Sequence, residues 1–289
     1  MTKKLNCDQH LIAKSCGDYE LLDSGDNEKL ERFGTIVIRR PETQALWAKQ
    51  RDELWNDAHA TFMFKDKKGS WQIQKTVPDS WTVVRTGLPL IARLTSFKHT
   101  GIFPEQAPNW EWLTQVVRPE MKVLNLFGYT GAATVTAALA GASVTHVDAS
   151  KQSLDWAHEN ARLSNISEDK IRWMLDDALA FAKREARRGA KYDGIILDPP
   201  AFGRGAKGEV WKIEEDLPKL LEALKEIFSE KPGSFFLVNG YAAGYAPCSF
   251  AQAVESVFGD TNGECGELHI QESSSERVIP AGIYVRFVR

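Results

Sequence analysis

From Met121 to the C-terminus the chain alternates short apolar runs with stretches of helical periodicity, and this alternation limits the fold more than any other feature. KVLNLF (122–127) precedes a helical stretch over 130–140, SVTHVD (143–148) precedes 150–164, and IRWML (171–175) precedes 177–188. YDGIILD (192–198) leads through a glycine-rich basic segment to a helix over 213–228, and SFFLVN (234–239) leads to one over 249–258. ELHIQE (267–272) and IYVRFV (283–288) close the chain. Strands separated by helices are joined by crossovers, which make neighbouring strands parallel and cover both faces of the sheet. The last two strands have only a polar loop between them, which fits an antiparallel hairpin. The expected class is α/β, with a mostly parallel sheet over residues 117–289.

Upstream the pattern is different. Residues 1–30 are polar and show no periodicity, so they read as a flexible lead-in. Residues 31–116 read as a small α+β domain: a strand GTIVIRR, a helix from Thr43 to Ala58, then strands ATFMF, SWQIQ, WTVVR and LPLIARL. Six of the nine tryptophans precede residue 118, which suits either a base-stacking surface or, as the simpler reading, large rings filling a thin core.

A net charge of -3 gives no global attraction to nucleic acid, so an RNA or DNA contact needs a local basic patch. The N-terminal stretch lacks the apolar core of a signal peptide and no later stretch approaches a membrane span, so a cytoplasmic protein without a membrane partner is expected. Cys7, Cys16, Cys248 and Cys265 show neither C-x-x-C spacing nor adjacent histidines. They are expected to be free thiols, with no metal site.

Open parallel sheets bind ligands beyond the carboxyl ends of their strands. At those ends the chain places the turn Asn125-Leu126-Phe127-Gly128-Tyr129-Thr130-Gly131, then Asp148, then Asp176-Asp177, then Asp198. The glycine turn lets a ligand approach the backbone, though it is not the dinucleotide G-x-G-x-x-G. An acid after the second strand is placed to hold ribose hydroxyls, while Asp177 is equally readable as a helix cap.

The series N-L-F-G-Y-T-G, V-D-A-S, D-D-A and D-P-P-A-F resembles the class I S-adenosylmethionine-dependent methyltransferases, most closely the bacterial 23S rRNA methyltransferases that modify cytosine or guanine. The resemblance, which runs from about Phe97 to the C-terminus, implies a Rossmann-like class I methyltransferase sheet and S-adenosylmethionine as cofactor. It further implies that Asn125, Phe127, Gly128, Thr130 and Gly131 surround the methionine part. Asp148 would bind the ribose and Asp177 face the adenine amine, with Ala149, Ser150, Ala178 and Asp198 also at the cofactor. The segment from Phe97 to Gln106 resembles a second signature of these relatives, in which Gln106 reaches the cofactor; Ala107 stands where those relatives carry an arginine.

Transfer of a methyl from a sulfonium needs no metal, only an aligned nucleophile and exclusion of water. Asp198 and the carbonyls around Pro199 and Pro200 are placed to accept the protons of a base amine, and Phe202 to stack on the base. Arg204, Lys207 and Lys212 form a local basic loop suited to the phosphates of an RNA, expected to be ribosomal. Alternatives stay open: a small-molecule or protein acceptor, a non-catalytic cofactor- or RNA-binding protein, or attack on a cytosine by Cys248 followed by methylation at carbon 5.

Overall fold

The computed structural model describes residues 5–65, 68–205, 208–241, 244–259 and 261–289. In chain order it contains β1 (Asn6–Ala13), β2 (Tyr19–Gly25), β3 (Glu28–Phe33), β4 (Ile36–Pro41), α1 (Asp52–Trp55), β5 (Ala60–Lys65), β6 (Lys68–Ile73), β7 (Trp81–Arg85) and β8 (Leu88–Ala92). A short turn of 3-10 helix (Pro104–Gln106) leads into α2 (Ala107–Val116). There follow β9 (Lys122–Leu126), α3 (Ala132–Leu139), β10 (Ser143–Asp148), α4 (Lys151–Leu163), β11 (Ile171–Leu175), α5 (Ala178–Arg187) and β12 (Gly194–Leu197). The chain ends with β13 (Phe202–Arg204), β14 (Val210–Lys212), α6 (Ile213–Ile227), β15 (Phe235–Gly240), α7 (Pro247–Phe258), β16 (Gly263–Gln271) and β17 (Val278–Val288).

Two compact units result. The first combines the N-terminal segment ending at Leu11 with Asn109–Leu268 and Ala281–Arg289; the second combines Ile12–Pro108 with His269–Pro280.

The first unit is built on an eight-stranded sheet in the order β1-β16-β17-β15-β12-β9-β10-β11. Strands β15, β12, β9, β10 and β11 run parallel, whereas β17 runs antiparallel to β15. Strand side chains alternate between faces. Leu124 and Leu126 of β9 share a buried cluster with Phe181 of α5, Leu220 and Leu224 of α6, and Val254 of α7. Asn125, pointing the other way, bonds Thr134 of α3. Helices therefore cover both faces, and the α/β reading of the sequence is met. Among the described residues no helix is long and apolar enough to cross a membrane.

The second unit contains a five-stranded sheet, β2-β3-β4-β5-β6, and the β7–β8 pair. It corrects two expectations. The supposed lead-in is strand from Asn6 onward, because Tyr19, Leu21, Leu30 and Phe33 are fully buried. Its polar composition hides this, since Glu31 and Lys29 are also buried: Glu31 pairs with Arg40 and accepts from Tyr19 Oη at 2.9 Å, and Lys29 pairs with Glu42 at 3.2 Å. The helix expected over 43–58 shrinks to α1. Backbone groups that would have formed it are used elsewhere: the carbonyls of Ala45 and Trp47 accept from Asn27 and Asp26, and the amides of Gln50 and Arg51 donate to Asp23.

Asp23 is fully buried, takes a further bond from Trp55 Nε1 at 2.8 Å, and is charge-balanced by Arg277 at 2.7 Å. Arg277 lies in His269–Pro280 and binds Glu272 as well, so one guanidinium anchors that returning segment within its unit. Removing one partner of a buried ion pair leaves the other charge uncompensated, at a cost of about 3–5 kcal/mol. Arg277→Ala is therefore expected to lower unfolding stability by about that amount, read from the midpoint of a urea titration at unchanged slope.

Candidate functional site

The sheet order reverses between β9 and β12. The chain builds outward from β9 to β10 and β11, then returns across β9 to lay down β12 and β15 on its other side. Such a reversal opens a crevice at the carboxyl ends of the strands, because the loops leave in opposite directions. The strand ends are flush: Leu126 pairs with both Val147 and Leu197, Leu197 with Val238, and Asp148 with Leu175. Residues just beyond these pairs meet at one rim.

After β9 the backbone turns sharply. Phe127, Tyr129 and Gly131 take positive φ values of 54, 48 and 83°, the first two in a region that side-chain-bearing residues seldom adopt. The amide of Gly128 donates to the Val147 carbonyl at 3.1 Å and that of Gly131 to the Gly128 carbonyl at 2.9 Å, which closes the turn. Gly128 has no room for a side chain, since a Cβ there would lie 2.4 Å from Cε1 of His146. His146 is fully buried and its pKa is pushed down to about 3 by burial, so the ring is neutral. Its Nδ1 meets Thr134 Oγ1 at 2.8 Å, and the same oxygen accepts from Asn125 Nδ2 at 2.8 Å. Asn125 is thus buried behind the turn with its amide committed to α3, and Thr130 is buried with its carbonyl held by Asn160 at 2.8 Å. No local pattern marks His146, a polar residue inside buried β10, or Thr134 on α3 for this support.

Asp148 reaches back to this turn. One carboxylate oxygen accepts the Tyr129 amide and the other the Ser150 amide, both at 2.8 Å, while burial pushes its pKa upward. A carboxylate offers about four acceptor positions, so two remain for hydroxyl donors. Ala149 is half-buried and exposed Ser150 caps α4 through Ser153. Asp177 caps α5, accepting from Ala180 at 2.8 Å, beside buried Ala178, while Asp176 holds Arg184. The cap reading of Asp177 is met and one of its oxygens is left over. Gln106 lies in the second unit, on the 3-10 turn, its amide donating to Phe103.

Asp198 is chemically different. It follows β12, its amide directed at the Leu126 carbonyl at 3.4 Å, and its carboxylate makes no hydrogen bond or ion pair with any described residue. Loss of solvation alone raises its pKa to about 6. The residue nevertheless remains partly exposed.

The loop beyond it departs from expectation. Pro199 is buried, but the Pro200 carbonyl is not a free acceptor, because Trp211 Nε1 donates to it at 2.7 Å. The segment read as a basic loop contains the antiparallel pair β13–β14, with Phe202 opposite Lys212 and Gly203 opposite Trp211. Trp211 turns inward onto Phe127, ring centroids 4.9 Å apart, whereas Phe202 is 57% exposed. Lys212 is engaged by Glu215 at 2.8 Å, Arg204 is exposed, and Lys207 lies outside the described residues. Cys248 is exposed and free at the start of α7, as is Cys16, but Cys265 is disulfide-bonded, which corrects the expectation of four free thiols.

Comparison with known proteins shows the family. The family model for S-adenosylmethionine-dependent methyltransferases matches residues 41–254. The chain belongs to that family. A solved S-adenosylmethionine-dependent methyltransferase of Agrobacterium tumefaciens is 39% identical and superposes with a TM-score of 0.92, covering 100% of this chain and 96% of that one. Ribosomal RNA large subunit methyltransferase K of Neisseria meningitidis is 26% identical over 74% of this chain and 64% of its own length. Ribosomal RNA large subunit methyltransferase K/L of Syntrophotalea carbinolica is 38% identical over 48% of this chain and 19% of its own. The chain thus spans less than two thirds of the length of these curated relatives.

The rim of this methyltransferase fits its cofactor on three counts: a turn stripped of side chain at Gly128, a carboxylate at Asp148 with acceptor capacity to spare, and an acid at Asp198 left bare. Gly128→Ala must displace the His146 ring or the turn. It is expected to weaken S-adenosylmethionine binding at least tenfold by calorimetry, with His146→Ala in the same chain restoring part of the loss. Equal affinity for Gly128→Ala and the parent would remove the turn from the cofactor site.

Proposed function

We propose that this methyltransferase methylates a nucleobase nitrogen of ribosomal RNA, with Asp198 orienting the reacting amine. The observation that carries the reading is the bare, partly exposed Asp198 carboxylate, its pKa raised to about 6, four residues before the exposed ring of Phe202. The names of the two curated relatives support RNA as the acceptor.

In this reading Asp148 holds the ribose hydroxyls of the cofactor, Asn125, Phe127, Gly128, Thr130 and Gly131 flank its methionine part, and Asp177 and Ala178 flank the adenine. Ala149 and Ser150 complete the set within the first unit. When bound, the cofactor supplies a methyl on a sulfonium, a leaving group that needs no metal.

The chain's own residues then have three tasks. Phe202 stacks on a base taken out of its strand, which requires an exposed ring at the rim. Asp198 and the Pro199 carbonyl accept the protons of the base amine, so that the nitrogen lone pair, otherwise delocalised into the ring, is directed at the methyl. Trp211, bound to the Pro200 carbonyl and packed on Phe127, keeps this wall fixed relative to the cofactor turn. Positioning of this kind is the main catalytic contribution available once the leaving group is activated.

The pH dependence follows from the direction of the shift. Asp198 must be ionised to accept a hydrogen bond from the amine, so kcat/KM rises with pH through an apparent pKa of about 6 and levels off above it. Because its pKa is raised in the folded protein, the ionised acid weakens the fold above about pH 6, and protonation relieves this as the pH falls. Asp198→Asn is therefore expected to lose the acidic limb and at least a hundredfold in kcat/KM, while becoming more stable at pH 8 by about 2 kcal/mol. Wild-type turnover in that variant would overturn the role of Asp198. Cys248→Ser, assayed by tritium transfer into ribosomal RNA, is expected to leave the rate unchanged. Abolished transfer would establish the carbon-5 route instead.

A further inference from the structure

The second unit carries an apolar surface that the rim does not use. On strands β5 and β6, Ala60, Phe62 and Phe64 share a face with Gly69, Trp71 and Ile73, because Phe62 pairs with Trp71, Phe64 with Gly69 and Ala60 with Ile73. The rings form a ladder: Phe62 meets Phe64 edge-on at 5.4 Å and Trp71 edge-on at 5.2 Å. Gly69 is what lets Phe62 lie down, since a Cβ at Gly69 would come within 2.2 Å of its ring. The Trp71 Nε1 donates to the carbonyls of Thr95 and Phe97, at 2.8 and 3.2 Å, which fixes the Phe97 segment beside the ladder. The outer members are open to solvent: Phe64 is 62%, Phe97 69% and Ile73 53% exposed.

Around these rings the sequence is cationic. The stretch Ala60–Lys75 holds Lys65, Lys67, Lys68 and Lys75 against Asp66 alone, in a chain whose net charge is -3. Lys75 is engaged by Asp57 and Lys68 is exposed. Immobilised, exposed aromatic faces on a hairpin with a lysine excess in its sequence match a ligand that alternates flat π-faces with negative charge, which is single-stranded nucleic acid. A buried core has no use for the lysines, and a protein partner of ordinary composition has no use for their single sign.

We infer that the β5–β6 face, with Phe97, is a docking surface for single-stranded RNA, on which bases stack against Phe64 and Phe97 while Lys68 meets the backbone phosphates. This rests on the reading of RNA as the methyl acceptor and adds the surface that grips it.

The test uses the full chain with a fluorescently labelled single-stranded oligouridine, read by anisotropy, beside tritium transfer into protein-free large-subunit ribosomal RNA. Each base–aromatic stack lost weakens binding by about tenfold. Phe64→Ala with Phe97→Ala is thus expected to weaken oligouridine binding by about a hundredfold and to raise KM for RNA more than it lowers kcat. S-adenosylmethionine affinity by calorimetry stays unchanged, Phe64→Tyr retains binding, and Lys68→Glu weakens binding and flattens its salt dependence. If wild type binds and methylates RNA while the double alanine variant binds it within twofold of wild type, the surface proposal fails and the acceptor reading stands. If wild type neither binds nor methylates RNA, the acceptor reading fails and takes this one with it. If sedimentation shows a wild-type dimer that the double variant dissociates, with RNA binding unaltered, the face belongs to a second copy of the chain and the proposal is overturned.

Discussion

Pairing β9 with β10 on one side and β12 on the other is the constraint from which the rest of the first unit follows. A strand hydrogen-bonded on both sides cannot shift its register without moving two neighbours. Three successive loops, after β9, β10 and β12, are therefore held at one height. The turn at Gly128, the acid at Asp148 and the acid at Asp198 inherit their positions from that ladder, and the loops themselves need little internal order. The strained turn has extra support, through the buried chain from Asn125 to Thr134 to His146.

The molecule treats its buried carboxylates in two opposite ways. Glu31 is surrounded by Arg40, Lys29 and a tyrosine hydroxyl, and its pKa is held below the usual range despite complete burial. Asp23 collects two backbone amides, an indole N–H and a guanidinium. In both, partners offset the loss of water, and the acids act as structural joints. Asp198 has lost water without gaining a partner among the described residues, so its desolvation is a net cost to folding that protonation or an incoming donor relieves. That contrast, rather than the presence of an acid after a strand, sets Asp198 apart from the structural acids.

Much of the first unit was legible in the sequence because its helices and strands follow simple periodicities: the βα alternation, the strands 143–148 and 171–175, and the glycine turn are found where the pattern places them. The second unit was harder to read. Periodicity is a code of apolar residues, and β2 and β3 bury Asp23, Lys29 and Glu31 in place of aliphatic side chains, so the alternation vanishes while the strands remain. The helix expected over 43–58 failed for a different reason: apolar residues at helical spacing do not show whether the backbone donors and acceptors will be claimed by another segment. At the site, the acids were legible as residues but not as environments. That Asp177 is spent on a cap, that the Pro200 carbonyl is taken by Trp211, and that Asp198 is left alone are facts of packing that no local pattern carries.

The contact between Gly128 and His146 also sets the order in which this sequence can drift. With the imidazole in place, position 128 admits glycine alone, so every larger residue there is closed to a single substitution. A smaller residue at 146 must come first, yet of the pair Asn125 and His146 it would leave the Thr134 hydroxyl with Asn125 alone. Three positions on three elements are thus bound into one unit of inheritance, and divergence at the turn has to pass through the strand behind it.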